Sequence, residues 1–228
     1  MSNVCDLLKQ LRISYKKLAI YEQALTHPSY NGEANTKHQD YEKLEFMGDA
    51  VLNFVTADLV YKHRPELSEG NLTKLRSVLV STKPLAAYAR KINLHEYIRI
   101  GHSITLNQVK ESDKILENVL EALIGAIYLD AGLKPAYKLI ERLLLEDIKN
   151  YDADNLTDYK SKLQEEIQAE HRDAVQYVTV ETKGPAHDRT FRVQVRYNDI
   201  VLGEGEGKSK KKAEEMAAKS ALSKRSVI

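Results

Sequence analysis

The sequence predicts two domains of different class, an all-α domain followed by a small α+β domain in α-β-β-β-α order. Three observations carry the prediction. Two long segments, Tyr41–Val55 and Ile115–Asp130, are apolar with helical spacing. After Asn150 the composition shifts to YDADNLTD, rich in Asp and Asn, which marks a boundary. Beyond it, QYVTVE and FRVQVRY alternate apolar and polar residues with the period of a half-buried strand. The expected organisation is a helical domain over residues 1–150, a linker over 151–156 and the α+β domain over 157–228, each large enough to fold around its own core.

The most informative segment is YEKLEFMGDAVL, Tyr41–Leu52. At 100° per residue, Glu42, Glu45 and Asp49 fall within about 60° of arc on a helix. Leu44, Phe46, Met47, Val51 and Leu52 continue the pattern, so the acidic stripe adjoins a packing face. Two readings of this helix stand: carboxylates awaiting a cation, or a solvated acidic edge beside Lys43. The second segment, ILENVLEALIGAIYLD, reads as a core helix, yet Glu121 sits in its middle, with Asn118 and Glu117 one turn before it. A carboxylate among Leu120, Ala122, Leu123 and Ile124 is costly to bury as a bare ion and needs a partner or a metal. Gly125, one turn beyond, permits close approach by another helix or by a substrate backbone. Two acidic helices facing each other would make an oxygen-rich cavity suited to Mg²⁺, with Mn²⁺ as a substitute, and not to Zn²⁺. The single cysteine, Cys5, and the absence of any H-E-x-x-H or C-x-x-C spacing agree with that preference. A hard-cation site points to phosphate chemistry.

At these residues the chain resembles the ribonuclease III family. YEKLEFMGDAVL is similar to the family signature, and LTHPSY at Leu25–Tyr30, SEGNLTKLRSVLV at Ser68–Val80 and LEALIGAIYLDAG at Leu120–Gly132 match further family blocks in order. The resemblance implies a Mg²⁺-dependent homodimeric endonuclease of double-stranded RNA that leaves 5′-phosphate and 3′-hydroxyl ends with short 3′ overhangs. RNA processing, of rRNA and mRNA precursors, follows as the expected role. By match to the motifs, Glu45 and Asp49 are expected as metal ligands and Glu121 as the essential glutamate, with Asp49 and Glu121 catalytic. Glu42 and Glu69 match supporting acidic positions at the RNA-facing edge. Phe46 resembles the aromatic received by a socket of the partner subunit at the dimer interface.

One departure matters. The family pattern in the second helix is D-x-x-E, and Asn118 occupies the aspartate position, as an uncertain fourth ligand. An asparagine carbonyl still coordinates a hard cation but brings no charge and accepts no proton. Three readings stand: natural variation with weakened metal affinity, a deliberate substitution that traps an uncleaved complex, or Glu117 taking over as second carboxylate. A one-residue shift swings the side chain by about 100°, which counts against the last. The alternative function is a duplex-RNA-binding protein whose nuclease site is impaired by Asn118.

The small domain is expected to contain a helix near 158–171, strands near 175–182, 190–197 and 200–206 with Asn198-Asp199 as the hairpin turn, and a helix near 209–224. Residues 151–228 carry 14 Lys/Arg and 14 Asp/Glu, but residues 208–225 carry seven basic against two acidic. Lys208, Lys210, Lys211 and Lys212 gather where the last helix begins, opposing its dipole, so stability gives no reason for them; they clamp phosphates or form a solvated face. DYKSKLQEEIQ and GEGEGKSKKKAEEMAAKSAL resemble the first helix and the end of a double-stranded RNA-binding domain. That resemblance implies RNA contacts by Ser161, Gln164, Glu165 and Gln168 in one minor groove. His187 in the loop GPAHD would enter the next, and the four lysines would grip phosphates between them.

Net charge is +1, so RNA affinity must come from local patches. No segment approaches the roughly 20 apolar residues of a membrane span and none reads as a signal peptide. One cysteine excludes an internal disulfide framework, and a reduced cytoplasmic location is expected, with no membrane partner and no small-molecule cofactor. The 13 tyrosines are scattered along helices and read as packing or interface residues, not as base-stacking platforms. His27-Pro28 is expected to position the signature helix through hydrogen bonds of Thr26, His27 and Ser29. Lys74 and Arg76, on a helix after Glu69, line an RNA channel or face solvent.

Overall fold

The computed structural model describes residues 3–32, 39–152, 158–171, 174–185 and 188–225. The chain divides into two compact units, Met1–Leu156 and Thr157–Ile228. The first is helical: α1 (Val4–Gln10), α2 (Leu18–Ala24), α3 (Glu42–His63), α4 (Glu69–Leu79), α5 (Thr82–Lys91), α6 (Leu106–Glu111), α7 (Asp113–Ala131) and α8 (Leu133–Asn150). The second runs α9 (Tyr159–His171), β1 (Gln176–Lys183), β2 (Thr190–Tyr197), β3 (Ile200–Gly207) and α10 (Lys210–Arg225).

α3 and α7 form the centre of the first unit. α7 is apolar nearly all round, and Leu116, Val119, Leu120, Ala122, Leu123, Ile124, Ala126 and Ile127 are all buried, as expected of a helix packed on every side. It starts where the Ser112 hydroxyl accepts the Ile115 N–H at 3.3 Å, and it stops at Gly132, φ +88°. The two helices touch backbone to backbone. A Cβ on Gly48 would lie 1.7 Å from the Glu121 carbonyl oxygen, and one on Gly125 would lie 2.2 Å from that of Leu44. Of the two partners that Gly125 was expected to admit, the neighbour is therefore a helix.

Two further devices fix each of these helices to the segment that precedes α3. The Asp130 carboxylate, near the end of α7, accepts the Lys16 and Lys17 N–H groups at 2.7 and 3.0 Å and the Tyr21 hydroxyl at 3.1 Å. At the start of α3, the Tyr41 N–H donates to the Thr26 carbonyl at 3.1 Å, and the His27 ring stands edge-on to Tyr41 at 5.7 Å. His27 in turn is fixed by the Ser29 N–H and hydroxyl, at 3.0 and 2.8 Å from Nδ1. The LTHPSY segment thus anchors the entry to the signature helix.

In the second unit the antiparallel sheet has the order β1-β2-β3. Its strands fall within a residue of the expected ranges, and Asn198 takes the left-handed conformation, φ 50°, that a tight turn needs. Val193 and Val195 face Leu163 and Ile167 of α9 and Ala213, Ala217 and Ala221 of α10 in one core. β3 presents glycine at every second position, and a Cβ on Gly205 would lie 2.2 Å from the Ala217 nitrogen, so α10 lies close against the sheet. Among the described residues no helix is long and apolar enough to cross a membrane.

Candidate functional site

The close contact between α3 and α7 brings their acidic stripes to one cleft of about 540 Å³. Its lining includes Glu42, Glu45, Phe46 and Asp49 from α3, Lys114, Glu117, Asn118 and Glu121 from α7, and Tyr41. Glu121 is 6% exposed and Glu117 7%, whereas Glu42 and Asp49 are exposed and Glu45 is half-buried. The Asn53 amide donates to Asp49 Oδ1 at 2.8 Å and orients that carboxylate.

Burial first, and then the nearby Asp49, Glu117 and Glu45 charges, together push the Glu121 carboxyl up to about 8, against a smaller pull from Lys114. Burial also raises Glu45; the Lys114 charge opposes this, while Glu117, Glu42 and Asp49 add to it. The Lys114 ammonium lies 3.1 Å from Glu117 Oε2. Burial lowers its pKa, but the Glu117 hydrogen bond and the Glu117, Glu121 and Glu45 charges outweigh that and hold it above its ordinary value. Burial raises the Tyr41 hydroxyl, offset in part by its hydrogen bond with the Asn118 side chain.

The donor set fits a hard cation. Asn118 Oδ1 is buried in this cleft with no hydrogen-bond partner, an acceptor that a cation would satisfy. No three described His, Cys, Asp or Glu side chains converge into a ready-made metal cage.

The remaining expected residues fall into distinct places. Phe46 edges the cleft and is 78% exposed. Glu69 heads α4, where it accepts the Thr73 hydroxyl at 3.1 Å, is exposed and does not line the cleft. Lys74 is exposed and Arg76 half-buried on the same helix. In the second unit Ser161, Glu165 and Gln168 are exposed on α9, and Ser161 caps against Asp158, its hydroxyl donating at 2.8 Å. Gln164 turns inward instead: its Oε1 accepts the Val175 N–H at 3.2 Å and its Nε2 is buried, which ties α9 to the sheet. Lys210 and Lys211 are exposed and carry no ion pair among the described residues. Lys208 pairs with Asp188 at 2.6 Å and Lys212 with Glu215 at 3.4 Å. His187 lies outside the described residues.

Sequence reasoning missed Lys114 and Tyr41 and ranked Glu117 low. A signal was present: Lys114, Glu117 and Glu121 recur at three and four residues, one face of one helix. The 100° swing between positions 117 and 118 does not separate them from the cleft, because both flank the line through Lys114 and Glu121.

Known proteins are similar to both units. Residues 17–148 match the family model described as ribonuclease-III-like, and residues 159–225 match the double-stranded RNA binding motif. Ribonuclease 3 of Syntrophomonas wolfei is 43% identical over 215 residues, covering 94% of this chain and 92% of that protein. Ribonuclease 3 of Caldanaerobacter subterraneus subsp. tengcongensis is 39% identical, covering 97% and 98% respectively. The solved nuclease domain of ribonuclease III from Campylobacter jejuni, studied for flexibility in a region involved in dimer formation, superposes with a TM-score of 0.58. It is 36% identical and covers 63% of this chain and 97% of that one.

Proposed function

Because the chain belongs to the ribonuclease III family and carries a double-stranded RNA binding motif, we propose that it is a homodimeric, Mg²⁺-dependent endoribonuclease of double-stranded RNA. Each subunit cuts one strand, leaving 5′-phosphate and 3′-hydroxyl ends with short 3′ overhangs in the processing of rRNA and mRNA precursors. The observation that carries the reading is Glu121, a buried carboxylate facing Glu45 and Asp49 across the helix contact at Gly48.

Glu45, Asp49, Glu121 and the Asn118 carbonyl are the residues that would hold the metal. Bound there, Mg²⁺, or Mn²⁺ in its place, supplies a Lewis acid that makes water a nucleophile at neutral pH and offsets charge on the phosphate oxygens. Glu121, its carboxyl raised to about 8, holds a proton at neutral pH and would have to give it up to hold a metal. Asn53 keeps Asp49 oriented. Glu117, paired with Lys114 at 3.1 Å, would supply the carboxylate charge that Asn118 lacks.

Phe46, Phe54 and Tyr61 are exposed at eight- and seven-residue spacings on α3, within about 80° of arc, an apolar stripe that a second copy would cover. Ser161, Glu165, Gln168 and His187 read the minor grooves, and Lys208, Lys210, Lys211 and Lys212 hold the phosphates between them.

The test is cleavage of a labelled duplex by Glu121→Gln and Glu45→Gln. Both are expected to lose cleavage and keep duplex binding; retained cleavage refutes the site. Asn118 favours a second reading, a duplex binder with a disabled nuclease. Parallel Mg²⁺ titrations of the protein and Asn118→Asp decide it, since cleavage by the aspartate form alone establishes the binder.

A further inference from the structure

Away from the carboxylate cleft, the loop after α1 and the first turns of α8 border a hollow of about 650 Å³, within the size range of small-molecule sites. Its floor is apolar, with Leu11, Ile13 and Leu139 buried beneath it. Arg12, Lys16, Lys134, Lys138 and Arg142 ring it, and no carboxylate lines it. The chain as a whole balances 34 basic against 33 acidic residues, so this segregation is local. None of the five cations is ion-paired among the described residues. Lys138 and Arg142 also border an adjoining hollow with Glu141 and Glu146, but within this one the cations face each other with no carboxylate among them, and an anion seated there reduces their repulsion.

Two details sharpen the chemistry. Arg12 ends α1 in the left-handed conformation, φ 57°, with its N–H on the Lys9 carbonyl at 3.0 Å and the Ile13 N–H on the Leu8 carbonyl at 2.8 Å. Glycine is the usual residue there, so the cap alone gives no reason for a strained arginine. Arg142 is already oriented, its Nη2 donating to the Leu11 carbonyl at 3.2 Å. The Tyr15 ring lines the same hollow, half-exposed and braced edge-on against Tyr21 at 6.2 Å. Guanidinium and ammonium groups match phosphate, and an apolar floor beside an exposed aromatic face matches a nucleobase.

We propose that this hollow binds a nucleoside phosphate, with the phosphates held by Arg12, Lys134, Lys138 and Arg142 and the base lying on the apolar floor against Tyr15. Ala131, on its wall, lies ten residues along α7 from Glu121, about 15 Å, so the site is separate from the carboxylate cleft. An RNA duplex lying across the rim would reach the cations but not the floor, which favours the small molecule.

The test is binding of ADP to the full chain by calorimetry in EDTA, so that the carboxylate cleft contributes nothing through a metal. Lys134→Ser/Lys138→Ser changes exposed residues and is expected to keep the parent's melting temperature while weakening ADP roughly tenfold or more. Tyr15→Ala is expected to weaken ADP and leave inorganic pyrophosphate unchanged. Equal ADP affinity in the parent and the lysine variant overturns the site. Pyrophosphate binding as well as ADP overturns the nucleobase assignment. No ADP binding, with duplex RNA affinity reduced in the lysine variant, makes the patch an RNA track and overturns the small-molecule reading.

Discussion

Raising the pH from 7 to 9 should tighten Mg²⁺ binding by about tenfold, with Glu121 as the reason. Its carboxyl is pushed from 4.5 to about 8, first by burial and then by Asp49, Glu117 and Glu45. In the metal-free fold roughly nine in ten molecules therefore carry the Glu121 proton at pH 7, and the ionised form that a cation needs is the minority. Affinity follows the ionised fraction, so it climbs through pH 7 to 8 and levels off above, a gain of about 1.4 kcal/mol. The same shift makes metal-free stability fall as the pH rises, from the ordinary carboxylate range up to about 8, because the folded state binds the extra proton. Calorimetry in two buffers of different ionisation enthalpy counts the protons: about one is released per metal at pH 7 and almost none at pH 9. Glu121→Gln should remove the dependence. Binding that is flat across this range, with no proton released, would show that Glu121 is either ionised in the free protein or not displaced by the metal.

Glu117→Gln should weaken Mg²⁺ by about tenfold, and Lys114→Met should tighten it, since one removes a charge from the cleft and the other a competing cation; calorimetric affinities moving the other way would place Glu117 outside the site. Gly48→Ala drives a methyl group to 1.7 Å from the Glu121 carbonyl, so α3 and α7 must part. A loss of about 3 kcal/mol or more is expected in urea unfolding, together with loss of metal binding, and a variant as stable as the parent would contradict the helix contact. Asp188→Asn releases Lys208 from its 2.6 Å ion pair and should tighten duplex RNA binding modestly while steepening its salt dependence; unchanged binding across a salt series would place Lys208 away from the phosphates.

The fold was readable in the sequence wherever local periodicity sets it. α3 and α7 announce themselves because acidic residues recur on otherwise apolar helices, and β2 and β3 because alternation meets Asn198-Asp199. Gly125 even marked the close approach, though not its partner. What stayed hidden depends on distances between remote segments. Nothing local says that the Gln164 amide turns to Val175, that Lys208 finds Asp188, or that Glu69 stands clear of the cleft. Glu117 was undervalued because one-residue offsets were judged on a helical wheel alone. The depth of the cleft, set by α3 lying against α7, admits a wider arc of side chains than the wheel suggests.

The contact between Gly48 and Gly125 separates where the side chains of the cleft stand from what they are. The spacing of the cleft walls is set by two main chains in contact, not by attraction among the groups that project from them. An exchange of oxygen donors on α7, such as Asn118→Asp, then alters charge without parting the helices. The charge of the cleft can then be tuned at position 118 or at Glu117 independently of the scaffold, because the helix contact does not depend on which oxygen donor either position carries.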